Sequence, residues 1–200
     1  MLLVFTLMSN PSTAILHENK RLPGDLAMWF FILAELTVFA IFFISFAVTE
    51  QIHPEMFKQG KAQLHPIAGL INTLALITSS FFVALALYAI SQGSRIKAVN
   101  LLIIAQLFAV LYLVVKIWEY QSLFALGIDL ETNTFFTLYF LITAFHFLHV
   151  ILGMFILSFI TFRAHKRAYQ TNHSGFEAGA SYWHMVDLLW IILFPLIYII

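Results

Sequence analysis

Five apolar runs, each eighteen residues or longer and each with at most one acidic or basic residue, constrain this chain more than any other feature. They are Leu26–Val48, Ile67–Ile90, Val99–Trp118, Thr134–Phe162 and Trp183–Ile200. A hydrocarbon layer about 30 Å thick is crossed by about 20 helical residues, and within it each backbone amide must be satisfied inside its own helix. The runs therefore predict an all-α fold, a polytopic five-transmembrane-helix bundle, as a single domain over residues 1–200. Composition agrees: 62% of residues are apolar and 10% charged, with mean hydropathy +0.92, against about half apolar in soluble domains. The longest connection, Arg163–Tyr182, has twenty residues and leaves no room for a soluble domain. The apolar opening Met1–Met8 is too short for a span and lacks a basic leader, so residues 1–20 read as disordered or surface-lying.

Cysteine is absent, which removes disulfides, thiolate metal sites and thiol catalysis. Ten basic and ten acidic residues cancel, so no nucleic acid or acidic partner is indicated. Their placement carries the information. Lys20, Arg21, Arg95, Lys97, Arg163, Lys166 and Arg167 fall on one predicted side, and only Lys58 and Lys61 on the other. Because basic loops stay on the cytoplasmic side, the N-terminus is expected inside and the C-terminus outside. Trp29, Trp118, Tyr182 and Trp183 lie near the predicted span ends, where amphipathic rings favour the interface.

A bare charge in hydrocarbon costs from about 2.5 to more than 10 kcal/mol, so each intramembrane ionisable residue needs a partner or a neutral form. Glu35 sits nine residues into the first run, among Phe30, Phe31, Phe39, Phe42 and Phe43. It is a candidate proton-exchanging carboxyl, and the plainer alternative is an interhelix hydrogen-bond donor. His146 and His149 are three residues apart, and Tyr139, Thr143 and Gly153 continue their stripe, which must face protein. Both histidines count to the inner half of the membrane, level with Glu35, so a Glu35–histidine contact is expected. Metal or haem binding needs further ligands, and His184 is the only other histidine at that depth; the structural reading of the pair is the stronger.

His184 and Asp187 repeat the three-residue spacing and read as a buried hydrogen-bonded pair. Lys116 and Glu119, sharing a face with Tyr112 near the outer surface, read as an ion pair that eases insertion. Asn72, with Thr73, Thr78, Ser79 and Ser80, gives the second span a polar, small-residue side suited to helix packing. His53-Pro-Glu-Met-Phe57 matches a copper-ligand sequence over three residues, but its setting between spans beside Lys58, Gly60 and Lys61 makes a surface turn the better reading.

Several of these pieces belong together. Leu22-Pro-Gly-Asp-Leu-Ala-Met-Trp-Phe-Phe-Ile-Leu-Ala-Glu35, Asn72-Thr with Ser79-Ser80, Glu119-Tyr120, Phe145-His-x-x-His-Val-x-x-Gly153 and Tyr182-Trp-His-x-Val-Asp-x-x-Trp190 resemble subunit III of the haem-copper terminal oxidases, in order from residue 22 to the C-terminus. The resemblance implies an accessory subunit of the bacterial cytoplasmic membrane, not an enzyme by itself but part of a cytochrome c or quinol oxidase that reduces oxygen to water. It implies that haem and copper reside in the catalytic subunit I, that this chain binds no cofactor and no metal, and that phospholipid lies in a cleft. Glu35 falls at the family's membrane-buried, carbodiimide-reactive carboxylate, implicated in proton uptake. Compared with seven-span members the first two helices are lacking, as in short bacterial versions, so one cleft wall would come from a partner. Ala144 and Phe147 replace glycines common in the oxidase form, and His146-Phe-Leu-His149 is similar to the branch associated with nitric oxide reductase, which leaves oxygen and nitric oxide both open as the partner's substrate. Two further alternatives are an independent haem-binding protein using His146, His149 and His184, and a small proton channel built on Glu35; the latter lacks the broken helices of transport sites.

Overall fold

The computed structural model describes residues 26–166, 169 and 173–200. The opening segment 1–20 and the basic residues Lys20, Arg21 and Arg167 lie outside the described residues. Six helices follow in order: α1 (Leu26–Ile52), α2 (Pro54–Lys61), α3 (Pro66–Ser91), α4 (Arg95–Ala125), α5 (Thr134–His165) and α6 (Ser174–Tyr198). Five of them, all but α2, are long and apolar enough to cross a membrane, and no strand occurs among the described residues.

Local signals set the boundaries. Pro54 and Pro66 open α2 and α3 at the first helical position, where a missing N–H costs nothing. Gly93 and Gly127 end α3 and α4 with φ of 74°, and each turn closes with paired reverse bonds: Ser94 N to Ala89 O with Gly93 N to Ile90 O, and Ile128 N to Leu123 O with Gly127 N to Phe124 O. The Asn133 side chain caps α5 by accepting from Phe136 N at 3.0 Å.

Three sequence expectations change. The His53-Pro-Glu segment is not a bare turn: Pro54 starts a full helix whose Phe57 is buried against Phe46 and Phe135, while His53 and Glu55 stay exposed. Helix α4 runs seven residues past Trp118, and α6 begins nine residues before Trp183, which shortens the expected twenty-residue connection to 166–173. Hydropathy missed these turns because they are helical but polar or small. Tyr182 and Trp183 consequently lie inside α6 and are fully buried rather than interfacial.

The bundle is tightest where side chains are smallest. Antiparallel α3 and α4 meet along Ala68, Ala75 and Ala86 on one side and Ala98, Ala105 and Ala109 on the other, all buried, and α6 and α5 complete the core. Helix α1 is the outlier, packing on α5, α6 and α2 with most of its surface exposed. Gly153 of α5 lets α6 approach: a Cβ there would lie 2.7 and 2.8 Å from the buried Trp183 ring. Because a rigid indole cannot yield that space cheaply, Gly153→Leu is expected to destabilise the bundle by about 1–3 kcal/mol, with Gly153→Ala milder, read as the midpoint of thermal unfolding in detergent. Equal midpoints for wild type and Gly153→Leu would contradict the packing described.

Candidate functional site

The buried polar groups fall into three layers between the helices. The first holds the ion pair. Lys116 Nζ lies 2.8 Å from Glu119 Oε2, and both side chains are fully buried. The ammonium has three N–H donors, and three acceptors surround it: Glu119 Oε2, the Tyr139 hydroxyl at 3.1 Å and the Tyr198 hydroxyl at 3.0 Å. Tyr198 in turn donates to the carboxylate, 2.8 Å from Oε1. The rings of Tyr120 and Trp190 lie 5.1 and 5.5 Å from Nζ, so aromatic surface flanks the cation. The expected Lys116–Glu119 contact is present, and the structure seats it inside the protein, joining α4, α5 and α6. Tyr198 was missed. Its one signal is its position eleven residues, about three turns, beyond Asp187 on the buried stripe of α6.

The second layer joins α1 to α5. His149 Nε2 is 2.9 Å from Glu35 Oε2. His149 Nδ1 is 2.8 Å from the Phe145 carbonyl, which can only accept, so Nδ1 carries a hydrogen. The Glu35 contact then needs one proton of its own. Either the neutral acid donates to Nε2, or an imidazolium donates to the carboxylate; the net charge is zero in both. Phe39 packs edge-on against His149 and His146, and Phe31 stacks on Tyr182, so aromatic rings wall the pair on the α1 side. Glu35 is half-buried, with 19% of its side chain exposed. Of the two histidines, His149 is the one that meets Glu35. His146 lies deeper, packed between Phe39, Tyr112 and Trp190.

The third layer ties α3 to α6 and α4. The Ser80 hydroxyl pairs with His184 Nδ1, Trp190 Nε1 donates to Thr73 Oγ1 at 3.0 Å, and the Ser79 hydroxyl donates to the Ala105 carbonyl at 2.8 Å. His184 and Asp187 therefore do not form the expected closed pair. His184 reaches across to Ser80, and Asp187 Oδ1 is buried without a hydrogen-bond partner in the protein. Asn72 is fully buried, and neither end of its amide meets a protein partner. A further polar clasp, absent from the sequence reading, joins α4 and α5: Gln106 donates to Thr161 Oγ1 at 3.1 Å and accepts from the Ser158 hydroxyl at 3.2 Å. Among the described residues no three His, Cys, Asp or Glu side chains converge as a metal centre requires.

Comparisons with known proteins place the chain in a family. A family model described as Cytochrome c oxidase subunit III matches residues 15–200. "Cytochrome c oxidase subunit 3" of Synechocystis sp. is 29% identical over 186 residues, covering 92% of this chain and 77% of that protein. The protein of the same name from Prototheca wickerhamii is 35% identical over 191 residues, covering 91% and 71%. "Heme-copper oxidase subunit I+III" of Aeropyrum pernix is 29% identical over 182 residues, 87% of this chain but 22% of that longer polypeptide. With nearly its whole length matched, and with five helices long and apolar enough to cross a membrane, the chain belongs to the cytochrome c oxidase subunit III family.

Proposed function

We propose that this chain is the accessory subunit of a haem-copper terminal oxidase in a bacterial cytoplasmic membrane, lying with its N-terminus inside and its C-terminus outside. It stabilises the catalytic subunit, contacts phospholipid, and uses the Glu35–His149 pair to hold and exchange one proton for the partner's uptake path. Haem and copper belong to the partner, where electrons from cytochrome c or quinol meet oxygen. The names of the relatives favour oxygen over nitric oxide, and the fusion of subunits I and III in one relative's name supports catalytic subunit I as the neighbour.

The observation that carries this reading is the use His149 and His184 make of their ring nitrogens. His149 spends one on its own helix and one on a carboxylate, and His184 spends one on a serine. A ligand set needs several such nitrogens converging on one point. A carboxyl–imidazole contact that shares one proton, partly exposed on the lightly covered helix α1, suits proton exchange.

Two measurements test it. Purification of the tagged chain in mild detergent is expected to recover a many-histidine haem subunit, with iron and copper sub-stoichiometric in this chain after separation; a metal centre retained by the isolated chain would refute the reading. Glu35→Gln keeps a donor to His149 Nε2 but has no acid proton to exchange. The complex is therefore expected to retain its thermal midpoint to within about 1 kcal/mol of equivalent stability and its haem spectrum, while turnover-linked proton uptake slows and carbodiimide labelling is lost. Unchanged proton uptake would remove the proton role and leave Glu35 as a helix clasp.

A further inference from the structure

Five polar atoms on three fully buried side chains have no hydrogen-bond partner in the protein: both amide atoms of Asn72, the Tyr112 hydroxyl and both ring nitrogens of His146. They come from three helices, α3, α4 and α5, and the register of those helices brings them to one level. Tyr112 and His146 pack edge to face with ring centroids 5.8 Å apart. The bond from Ser79 to the Ala105 carbonyl fixes the register of antiparallel α3 and α4. Counting seven residues, or two turns, back from Ser79 and forward from Ala105 brings Asn72 level with Tyr112, and both stay on the buried stripes of their helices. Trp190 covers the layer, 5.1 Å from Tyr112 and 5.2 Å from His146, with its own N–H taken by Thr73. The same indole lies 5.5 Å from Lys116 Nζ, so the layer adjoins the ion pair.

An amide, a phenol and an imidazole left dry together would each forfeit their hydration, and native cores tolerate such groups singly rather than in clusters. Water matches what they offer. A buried water uses two to four polar partners, and these side chains supply both donors and acceptors from three directions. We propose that Asn72, Tyr112 and His146 form an internal water-binding site between α3, α4 and α5, hydrating the core beside the Lys116–Glu119 pair. The site is separate from Glu35 and stands whether or not that carboxyl exchanges protons.

Tyr112→Phe tests it with a change of one hydroxyl and no change of shape. In the purified complex a hydrated site loses a hydrogen bond, and the midpoint for thermal release of this chain falls by about 2–4 °C, the shift that one bond of about 1 kcal/mol produces in a chain of this size. A dry site loses only an unsatisfied hydroxyl, and an unchanged or higher midpoint overturns the proposal. A map of the wild-type complex at a resolution that shows ordered water supplies the second readout. Density within about 2.6–3.2 Å of at least two of the three side chains supports the site; an Asn72 amide bonded directly to Tyr112, with no density between, overturns it even if Tyr112→Phe is destabilising.

Discussion

The bundle depends on a cation buried away from solvent. Lys116 and Glu119 are fully buried at 2.8 Å, and removing two ions from water costs several kcal/mol each before any attraction is counted. The attraction offsets that cost only if every remaining donor and lone pair is used. The structure meets the condition with the phenols of Tyr139 and Tyr198, and the rings of Tyr120 and Trp190 flank the ammonium. Each of those groups comes from a different place in the sequence, so the ion pair can be satisfied only when α4, α5 and α6 stand in one arrangement. The pair acts as a register device whose cost is met by geometry.

The other layers follow the same logic at lower stakes. Lipid tails are as apolar as leucine, so helices in a membrane gain little from hydrophobic burial against one another and rely on close approach and polar clasps. Alanines bring α3 to α4, Gly153 admits Trp183, and hydroxyls of Ser79, Ser80 and Thr73 tie helices together where backbones come close. Helix α1 lacks this density. Its main polar attachment within the bundle is Glu35 to His149, which makes that contact the clasp of the most exposed helix and the seat of the proposed proton exchange.

Much of this was legible in the sequence, for a physical reason. Backbone amides in hydrocarbon leave a chain almost no choice but helix, so the five apolar runs located five helices directly. The three-residue spacing of His146 and His149 placed them on a buried stripe, and depth alone brought Glu35 level with them. What could not be read depends on how helices cross. Nothing local says that Tyr198, two residues from the C-terminus, reaches Lys116, or that Ser80 of α3 meets both His184 and Asp187. The Ser174-Gly-Phe-Glu-Ala-Gly-Ala-Ser stretch is helical because its small residues pack, with Gly179 against Ile156 and Ile160, although its hydropathy is too low to announce a span. Pro54 was read as a turn former, yet it is equally a helix starter, and only Phe57 finding Phe46 and Phe135 decides between them.

A double-mutant cycle on Lys116 and Glu119 tests the central claim most directly, with the thermal midpoint of the chain in the purified complex as the readout. Lys116→Met or Glu119→Leu alone strands the opposite charge and is expected to cost about 3–5 kcal/mol, while the combined variant, with no charge left to strand, recovers most of the loss. Additive losses, or single variants as stable as wild type, would show that the two charges are not held as one unit and would contradict the account.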